Sequence, residues 1–243
     1  MLDKKVYFYL PVHNEEMILS QNVEKLLNFC VVQEYDFDWR IVIVVNGSSD
    51  ETLNIAHDLQ KKYSDKIEID NYPEPGRGLA LKRSFLKSKA DIVLYMDIDL
   101  AVSLKNITEL ITPFLNNKSD LIIGSRLLAN SQIKRSFVRE LSSQGYNILS
   151  RLLLRHHFSD MQCGFKAIKA EVFKKIAPNL IDDKWFFDTE LIVWTKKMNY
   201  DVREVAVDWS ENRYDKRKSK VKLLRDSFLF LVNLLKLRRR LAK

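Results

Sequence analysis

Two carboxylates one residue apart, Asp97 and Asp99, close the apolar run Ile92-Val93-Leu94-Tyr95-Met96. A run of that length and composition reads as a buried strand, so Asp97-Ile98-Asp99 falls where the strand should end. Open α/β sheets bind their ligands at the carboxyl ends of the strands. Carboxylates make poor core residues there, because a buried unpaired charge is costly. They are useful if a cation sits between them and a bound anion. A hard divalent ion such as Mg2+ or Mn2+ is held in this way, by one or two carboxylates plus substrate phosphates. Without such an ion the pair would cap the next helix or face water. Gly76-Arg77-Gly78 joins a permissive backbone to a charge able to reach a phosphate, and an ordinary loop would read the same way. Asp160, Asp188 and Glu190 form a further acidic set.

The elements that must position these groups alternate. Val6-Tyr7-Phe8-Tyr9-Leu10 reads as a first strand, and a helix with Leu19, Val23, Leu26, Leu27 and Cys30 on one face follows His13-Asn14-Glu15-Glu16. The two acids suit the positive end of that helix. Residues 40–45 form a second strand, apolar enough to be buried on both faces. After Asn46-Gly47-Ser48-Ser49-Asp50, Ser49 or Asp50 caps a helix bearing Leu53, Ala56, Leu59 and Tyr63. A third strand lies near 67–72, a helix opens at 79–86, and the strand before Asp97 comes next. A helix with Ile107, Leu110, Ile111 and Phe114 then leads to the strand Leu121-Ile122-Ile123, which ends at Gly124-Ser125-Arg126. This alternation over 6–126 predicts an α/β fold, a doubly wound and largely parallel sheet. Beyond it the sequence predicts helices at 136–155, from Glu171 and after Trp185-Phe186, a last strand over 202–209, and a basic amphipathic helix at 221–240. His156 and His157 suit the end of the 136–155 helix as cations.

With 243 residues the chain suits one large domain or two small ones, and Cys30 and Cys163 have no metal-ligand spacing, which favours a reduced setting. No signal peptide is recognisable, and no apolar run approaches the roughly 20 residues of a membrane-spanning helix. The net charge is +8, but residues 213–243 hold 12 basic and two acidic side chains, so the tail carries +10 and residues 1–212 carry −2. A tail of that kind suits an anionic surface. Aromatic residues interleaved with the charges, as single-stranded nucleic acid would require, are lacking beyond Tyr214, Phe228 and Phe230, so nucleic acid is not expected as a partner.

Seven motifs fall in one order: Pro11-Val12-His13-Asn14-Glu15-Glu16, Asn46-Gly47-Ser48-Ser49-Asp50, Gly76-Arg77-Gly78, Asp97-Ile98-Asp99, Gly124-Ser125-Arg126, Asp160-Met161-Gln162-Cys163-Gly164-Phe165-Lys166 and Phe187-Asp188-Thr189-Glu190. In this order the chain resembles the family 2 glycosyltransferases of the GT-A fold over roughly residues 5 to 220. Among them it is most similar to the polyprenol-phosphate sugar transferases, the group of dolichyl-phosphate glucosyltransferase and dolichol-phosphate mannose synthase. Gln162 to Lys166 and Ser143-Gln144-Gly145-Tyr146-Asn147 favour the glucosyl branch. The resemblance implies a GT-A catalytic domain over 1–212 with a basic amphipathic tail over 213–243. It implies an inverting, metal-dependent transfer of a hexose, most simply glucose from UDP-glucose, to a polyprenyl phosphate. Mannose from GDP-mannose, or a sugar hydroxyl as acceptor, are the rival readings.

By the same resemblance Pro11, Val12, Asn14, Glu16, Asn46, Gly76, Arg77 and Asp97 frame the nucleotide sugar, and Asp97 and Asp99 hold the Mg2+ or Mn2+. The family usually has an acidic pair where this chain has Val45 and Asn46; an amide both donates and accepts, so Asn46 is expected to read a base edge. On the acceptor side the catalytic demand is for cations. A lipid phosphate has its second pKa near about 6 and is already a dianion at neutral pH, so it needs alignment and no general base. Arg126, Arg139, Arg213, Ser219 and Lys220 are the candidates for that alignment. With a hydroxyl acceptor, Asp188 would have to act as general base. The helices at 136–155 and 221–240 pair aliphatic faces with Lys and Arg, the composition of helices lying in a membrane interface. The expectation is a peripheral enzyme on the cytoplasmic face of an anionic membrane, with the same helices packed on the body as the alternative and a homo-oligomer left open.

Overall fold

The computed structural model describes residues 4–116, 118–134, 137–210 and 223–242, with the backbone alone at 134, 137–143 and 223–228. Among them seven strands make the central sheet: β1 (Lys5–Val12), β2 (Asp38–Asn46), β3 (Ile67–Tyr72), β4 (Ile92–Met96), β5 (Leu121–Ser125), β7 (Phe165–Lys169) and β8 (Val202–Ala206), while β6 (Ile133–Lys134) and β9 (Trp209–Ser210) pair separately. The order across the sheet is β3-β2-β1-β4-β7-β5-β8. All neighbours run parallel except β7, which lies antiparallel between β4 and β5. The strands predicted at 6–10, 40–45, 67–72, 92–96 and 121–123 are therefore present, with β1 running on through Pro11 to Val12 and β5 to Ser125. β7 was not predicted as a strand, because a five-residue segment with lysines at both 166 and 169 lacks the apolar run of a central strand. The strand expected over 202–209 is broken in two. Val207 N–H turns to the carbonyl of Ser125 and Asp208 N–H to Asn106 Oδ1, which carries the chain out of the main sheet.

Among the described residues eight α-helices flank the sheet: α1 (Leu19–Val32), α2 (Thr52–Lys62), α3 (Arg77–Lys87), α4 (Asn106–Leu115), α5 (Phe137–Leu154), α6 (Ala170–Ile176), α7 (Phe187–Lys197) and α8 (Leu223–Leu241). Strand residues point alternately to opposite faces, and here both faces are buried. Val6, Phe8, Leu10, Ile41, Ile43, Leu94 and Met96 join α1, α2 and α4 in one core, while Tyr7, Tyr9, Val42, Val93 and Tyr95 join α3, α6, α7 and α8 in the other. Two local expectations change. Glu15 and Glu16 precede α1 instead of lying in its first turn; Glu15 N–H donates to Thr52 Oγ1, and the Glu16 carboxylate accepts from Glu51 N–H at the start of α2. His156 is no helix-end cation: burial and the charge of Arg151 push its pKa down to about 4, so it is neutral.

The two basic helices pack on the body along one face and leave the other outside. Leu234 and Leu237 of α8 are fully buried in the second core, whereas Leu229, Leu231 and Leu235 are exposed. On α5, Asn147 and Ser150 point in and Ile148 and Leu152 point out. No helix among the described residues is long and apolar enough to cross a membrane. The two faces of α8 should separate in stability measurements. Leu237→Ala is expected to cost about 2–5 kcal/mol, while Leu235→Ala should stay within about 0.5 kcal/mol, as read from urea unfolding midpoints.

Candidate active site

The end of β4, the start of β7 and the starts of α3 and α7 converge around Asp97. Tyr95 and Lys166 are directly opposed in the β4–β7 ladder, so both side chains leave the same face of the sheet, toward α3 and α7. There Asp188, in the first turn of α7 and 2% exposed, takes three donors. Arg77 Nη1 reaches its Oδ2 at 2.7 Å, Lys166 Nζ reaches its Oδ1 at 2.6 Å, and the Tyr95 hydroxyl donates to the same Oδ1. Lys166 is itself fully buried and also donates to the carbonyl of Cys163 at 2.6 Å. Burial alone would raise the Asp188 pKa, but Arg77 and Lys166 hold it below the usual carboxylate range. The Tyr95 phenol is raised well above its ordinary value by burial and by Asp188.

Arg77 carries this buried anchor to the surface. Its Nη2 donates to Asp97 Oδ1 at 3.0 Å, where the Asp97 side chain is 47% exposed. The guanidinium lies between the rings of Tyr95 and Trp185, 5.3 Å from each centroid, and Nε has no hydrogen-bond partner among the described residues. Burial opposes its charge, yet Asp188 and Asp97 raise its pKa. The Asp97 carboxylate rests on Gly164: a Cβ there would lie 2.2 Å from Oδ2. The turn is fixed from below by Asn22 of α1, whose Nδ2 donates to the Ile98 carbonyl at 2.9 Å. Asp99, half-buried, accepts Ala101 N–H through Oδ1.

Arg126 follows β5 and forks onto Asp160, Nε to Oδ2 at 2.7 Å and Nη2 to Oδ1 at 2.9 Å. Asp160 has no exposed surface, and despite that burial the Arg126 charge holds its pKa down. Arg126 is thus tied to a carboxylate within the protein, and it would meet an acceptor phosphate only from that held position. On the far side of the edge, Asn46 is 4% exposed and clamps the loop ends together. Its Nδ2 donates to the Val12 carbonyl at 2.7 Å and its Oδ1 accepts Gly76 N–H at 3.3 Å. Asn46 is expected to read a base edge; its amide here bonds Val12 and Gly76, because β1 and the loop before α3 leave backbone groups that need partners.

The remaining sequence-predicted residues divide. Pro11 and Val12 are buried at the end of β1, so only backbone there faces the edge; Asn14 and Glu16 are exposed and bond across to residues 49 to 51. Gly76 and Gly78 lie under the 182–184 backbone, where a Cβ on either would come within 2.9 Å of a carbonyl oxygen. Asp188 was expected as a base for a hydroxyl acceptor; it is buried and bound by two cations. The side chain of Arg139, on α5, and Arg213, Ser219 and Lys220 lie outside the described residues. Sequence reasoning missed Lys166, Tyr95 and Asn22 as members of the site. Lys166 alone carried a signal, a charge inside the motif from Gln162.

The description of glycosyl transferase family 2 matches residues 7–177, more than half of the chain. The chain belongs to that family. This family 2 glycosyltransferase is 30% identical over 222 residues to the dolichyl-phosphate beta-glucosyltransferase ALG5D of Trichomonas vaginalis, covering 88% of this chain and 68% of the relative. It is 32% identical to the glycosyltransferase AglD of Haloferax volcanii over 91% of its own length but 35% of that protein's, so it spans about a third of that relative. Among solved structures, glucosyl-3-phosphoglycerate synthase from Mycobacterium tuberculosis, in complex with Mn2+, UDP-glucose and phosphoglyceric acid, superposes with a TM-score of 0.66 at 18% identity, covering 97% of this chain and 79% of that one. That likeness shows the GT-A fold.

For the family 2 site, two outcomes are expected. Gly164→Ala should displace the Asp97 carboxylate and lower activity on the order of 10²-fold, as misplacement of about 1 Å does, with the unfolding free energy changed by less than about 1 kcal/mol. The Asp160 pKa lies below its unfolded value of about 3.9, so its stabilisation is complete above that value and is lost as pH falls through the folded pKa. Asp160→Asn should therefore cost about 3–5 kcal/mol at neutral pH, and its deficit against the parent should shrink as urea midpoints are taken at pH below about 4.

Proposed function

We propose that the chain transfers glucose from UDP-glucose to a dolichyl or related polyprenyl phosphate, with inversion at the anomeric carbon. The observation that carries this reading is the locked state of Asp188. A hydroxyl acceptor needs a base to remove its proton, and the acids on the acceptor side, Asp160 and Asp188, are buried and held by Arg126, Arg77 and Lys166. A phosphate monoester needs no base, being mostly dianionic at neutral pH. One of its oxygens attacks the anomeric carbon, the bond from that carbon to the UDP oxygen breaks, and UDP leaves with the bonding pair. The likeness to dolichyl-phosphate beta-glucosyltransferases supports the same acceptor and sugar.

The charge at the edge supports a divalent ion. Arg77 is balanced by Asp97 and Asp188, and Arg126 by Asp160, so an incoming diphosphate meets little uncompensated positive charge from these pairs. Asp97 and Asp99 offer hard carboxylate oxygens at an open edge, which suits Mg2+ or Mn2+ completed by substrate oxygens. No cluster of three or more acidic, His or Cys side chains that could hold a metal by itself occurs among the described residues. When bound, the ion supplies Lewis-acid stabilisation to the departing diphosphate. Arg77 holds Asp97 in place for it, and Asn22 holds the turn.

The outward faces of α5 and α8 are where this reading places the membrane. Ile148, Leu152, Leu229, Leu231 and Leu235 are exposed beside Arg151, Lys236, Arg238 and Arg239, a mixture suited to an anionic lipid interface. The test is a screen of UDP- and GDP-sugars against short polyprenyl phosphates, with and without EDTA. Glucosyl phospholipid should form from UDP-glucose and be abolished by EDTA, and Asp99→Asn should lower kcat on the order of 10²–10³-fold. A product formed only on sugar hydroxyls, or Asp99→Asn turning over as fast as the parent, would overturn the reading. A mannosyl product from GDP-mannose would replace the donor alone.

A further inference from the structure

Glu190, next but one to Asp188 on α7, is 1% exposed and takes no part in the reaction proposed above. Its Oε2 accepts Ile181 N–H and Asp182 N–H, each at 2.8 Å, and its Oε1 accepts Arg240 Nη1 of α8 at 2.5 Å. The other arm of the Arg240 fork, Nη2, donates to the Asn179 carbonyl at 2.6 Å. Asn233, two turns earlier on α8, donates to Asp182 Oδ2 at 3.2 Å, while Asp182 Oδ1 caps the start of α7 by accepting Lys184, Phe186 and Phe187 N–H. The segment 181–187 is therefore held from behind by α8.

Its other side is pressed on the loop that bears Arg77. A Cβ on Gly76 would lie 2.9 Å from the Asp183 carbonyl oxygen, and one on Gly78 would lie 2.8 Å from that of Lys184. Leu79 N–H donates to the Asp183 carbonyl at 3.1 Å, and Trp185 stacks on the Arg77 guanidinium. An unbroken run of contacts thus leads from α8 through Glu190 and residues 181–185 to Arg77, and from Arg77 to Asp97.

We propose that Arg240 is a positioning residue for the donor edge: by fixing Glu190 and the segment 181–185, it sets Arg77 against Asp97. Only a planar fork can serve Glu190 and the Asn179 carbonyl together. Without it, Glu190 keeps a buried negative charge whose cationic partner is gone, and the carboxylate is drawn off Ile181 and Asp182. α8 then has two duties on opposite faces, the outer one toward lipid and the inner one toward the nucleotide sugar. The kinetic part of this inference rests on the proposed transfer from UDP-glucose; the structural part does not.

The test uses the full chain carrying Arg240→Gln, with Phe114→Leu in α4, on the opposite side of the sheet, as a control of matched loss in Tm. Amide exchange of Leu79, Ile181 and Asp182 in the protein without substrate should quicken on the order of tenfold in Arg240→Gln, with the amides of β1 unchanged. KM for UDP-glucose should rise on the order of tenfold while KM for the lipid phosphate holds, the signature of a defect confined to the donor side. Arg240→Lys, which keeps the charge and one of the two bonds, should recover part of both effects. Unchanged exchange at Leu79 and Asp182 would overturn the proposal, as would an equal rise in donor KM in Phe114→Leu. If UDP-glucose is not the donor, no turnover is seen in the parent either, and the exchange measurement alone decides.

Discussion

The site depends on one buried carboxylate held by two cations. Asp188 sits where an unpaired charge would be strongly unfavourable, and Arg77, Lys166 and Tyr95 converge on it from three different elements. Removing one partner from such a cluster typically costs more than the cluster adds over an apolar core, so its worth lies in geometry. α3, β4, β7 and α7 are each fixed in register by a side chain that has no other low-energy place to go. Arg77 then transmits that fixed position outward to Asp97, the half-exposed acid of the pair.

The inverted strand makes this possible. In a parallel sheet the carboxyl ends of all strands gather at one edge, and ligands bind there. β7 runs the other way between β4 and β5, so it brings its beginning to that edge. Gly164 and Lys166 reach Asp97 and Asp188 for this reason alone, and a parallel strand in the same slot would present its far end instead. The contact of the Asp97 carboxylate with Gly164 leaves no room for a side chain at that position, so a single backbone atom decides where the acid can lie. The stretch from Asp160 to Lys166 accordingly supplies Asp160 to Arg126, Gly164 to Asp97 and Lys166 to Asp188.

Much of this was legible in the sequence, for physical reasons that also mark where legibility ended. β1, β2 and β4 are apolar on both faces and could be read directly, as could the turn at Asp97-Ile98-Asp99. β7 could not, because Lys166 breaks its apolar pattern, and a lysine is at home in a sheet core only when a carboxylate waits there. Nor could the partner of Arg77: Asp188 is 111 residues away, and local pattern carries no information on such pairings. The partners of the Asn46 amide were hidden for a related reason. An amide has equal capacity for a base edge and for two backbone groups, and only the fold shows that Val12 and Gly76 take it first.

The pairing of Arg77 and Arg126 with carboxylates has a consequence for how the two anions of the proposed transfer would meet. These anions, a diphosphate and a lipid phosphate, would repel each other, and fixed cations already neutralised within the protein would offset that repulsion only weakly. Preorganised charge is effective where it is aimed at charge that develops during reaction, and Arg77 and Arg126 are aimed first at Asp97, Asp188 and Asp160. Their part is to keep the acids ionised and still, since each carboxylate is held below its ordinary pKa where the shift is resolved. On the proposed transfer, further positive charge would come from a divalent ion at Asp97 and Asp99 or from the side chains of Arg139, Arg213 and Lys220, which lie outside the described residues. Arg77, Lys166 and Arg126 set against Asp97, Asp188 and Asp160 leave this group of ion pairs balanced within itself.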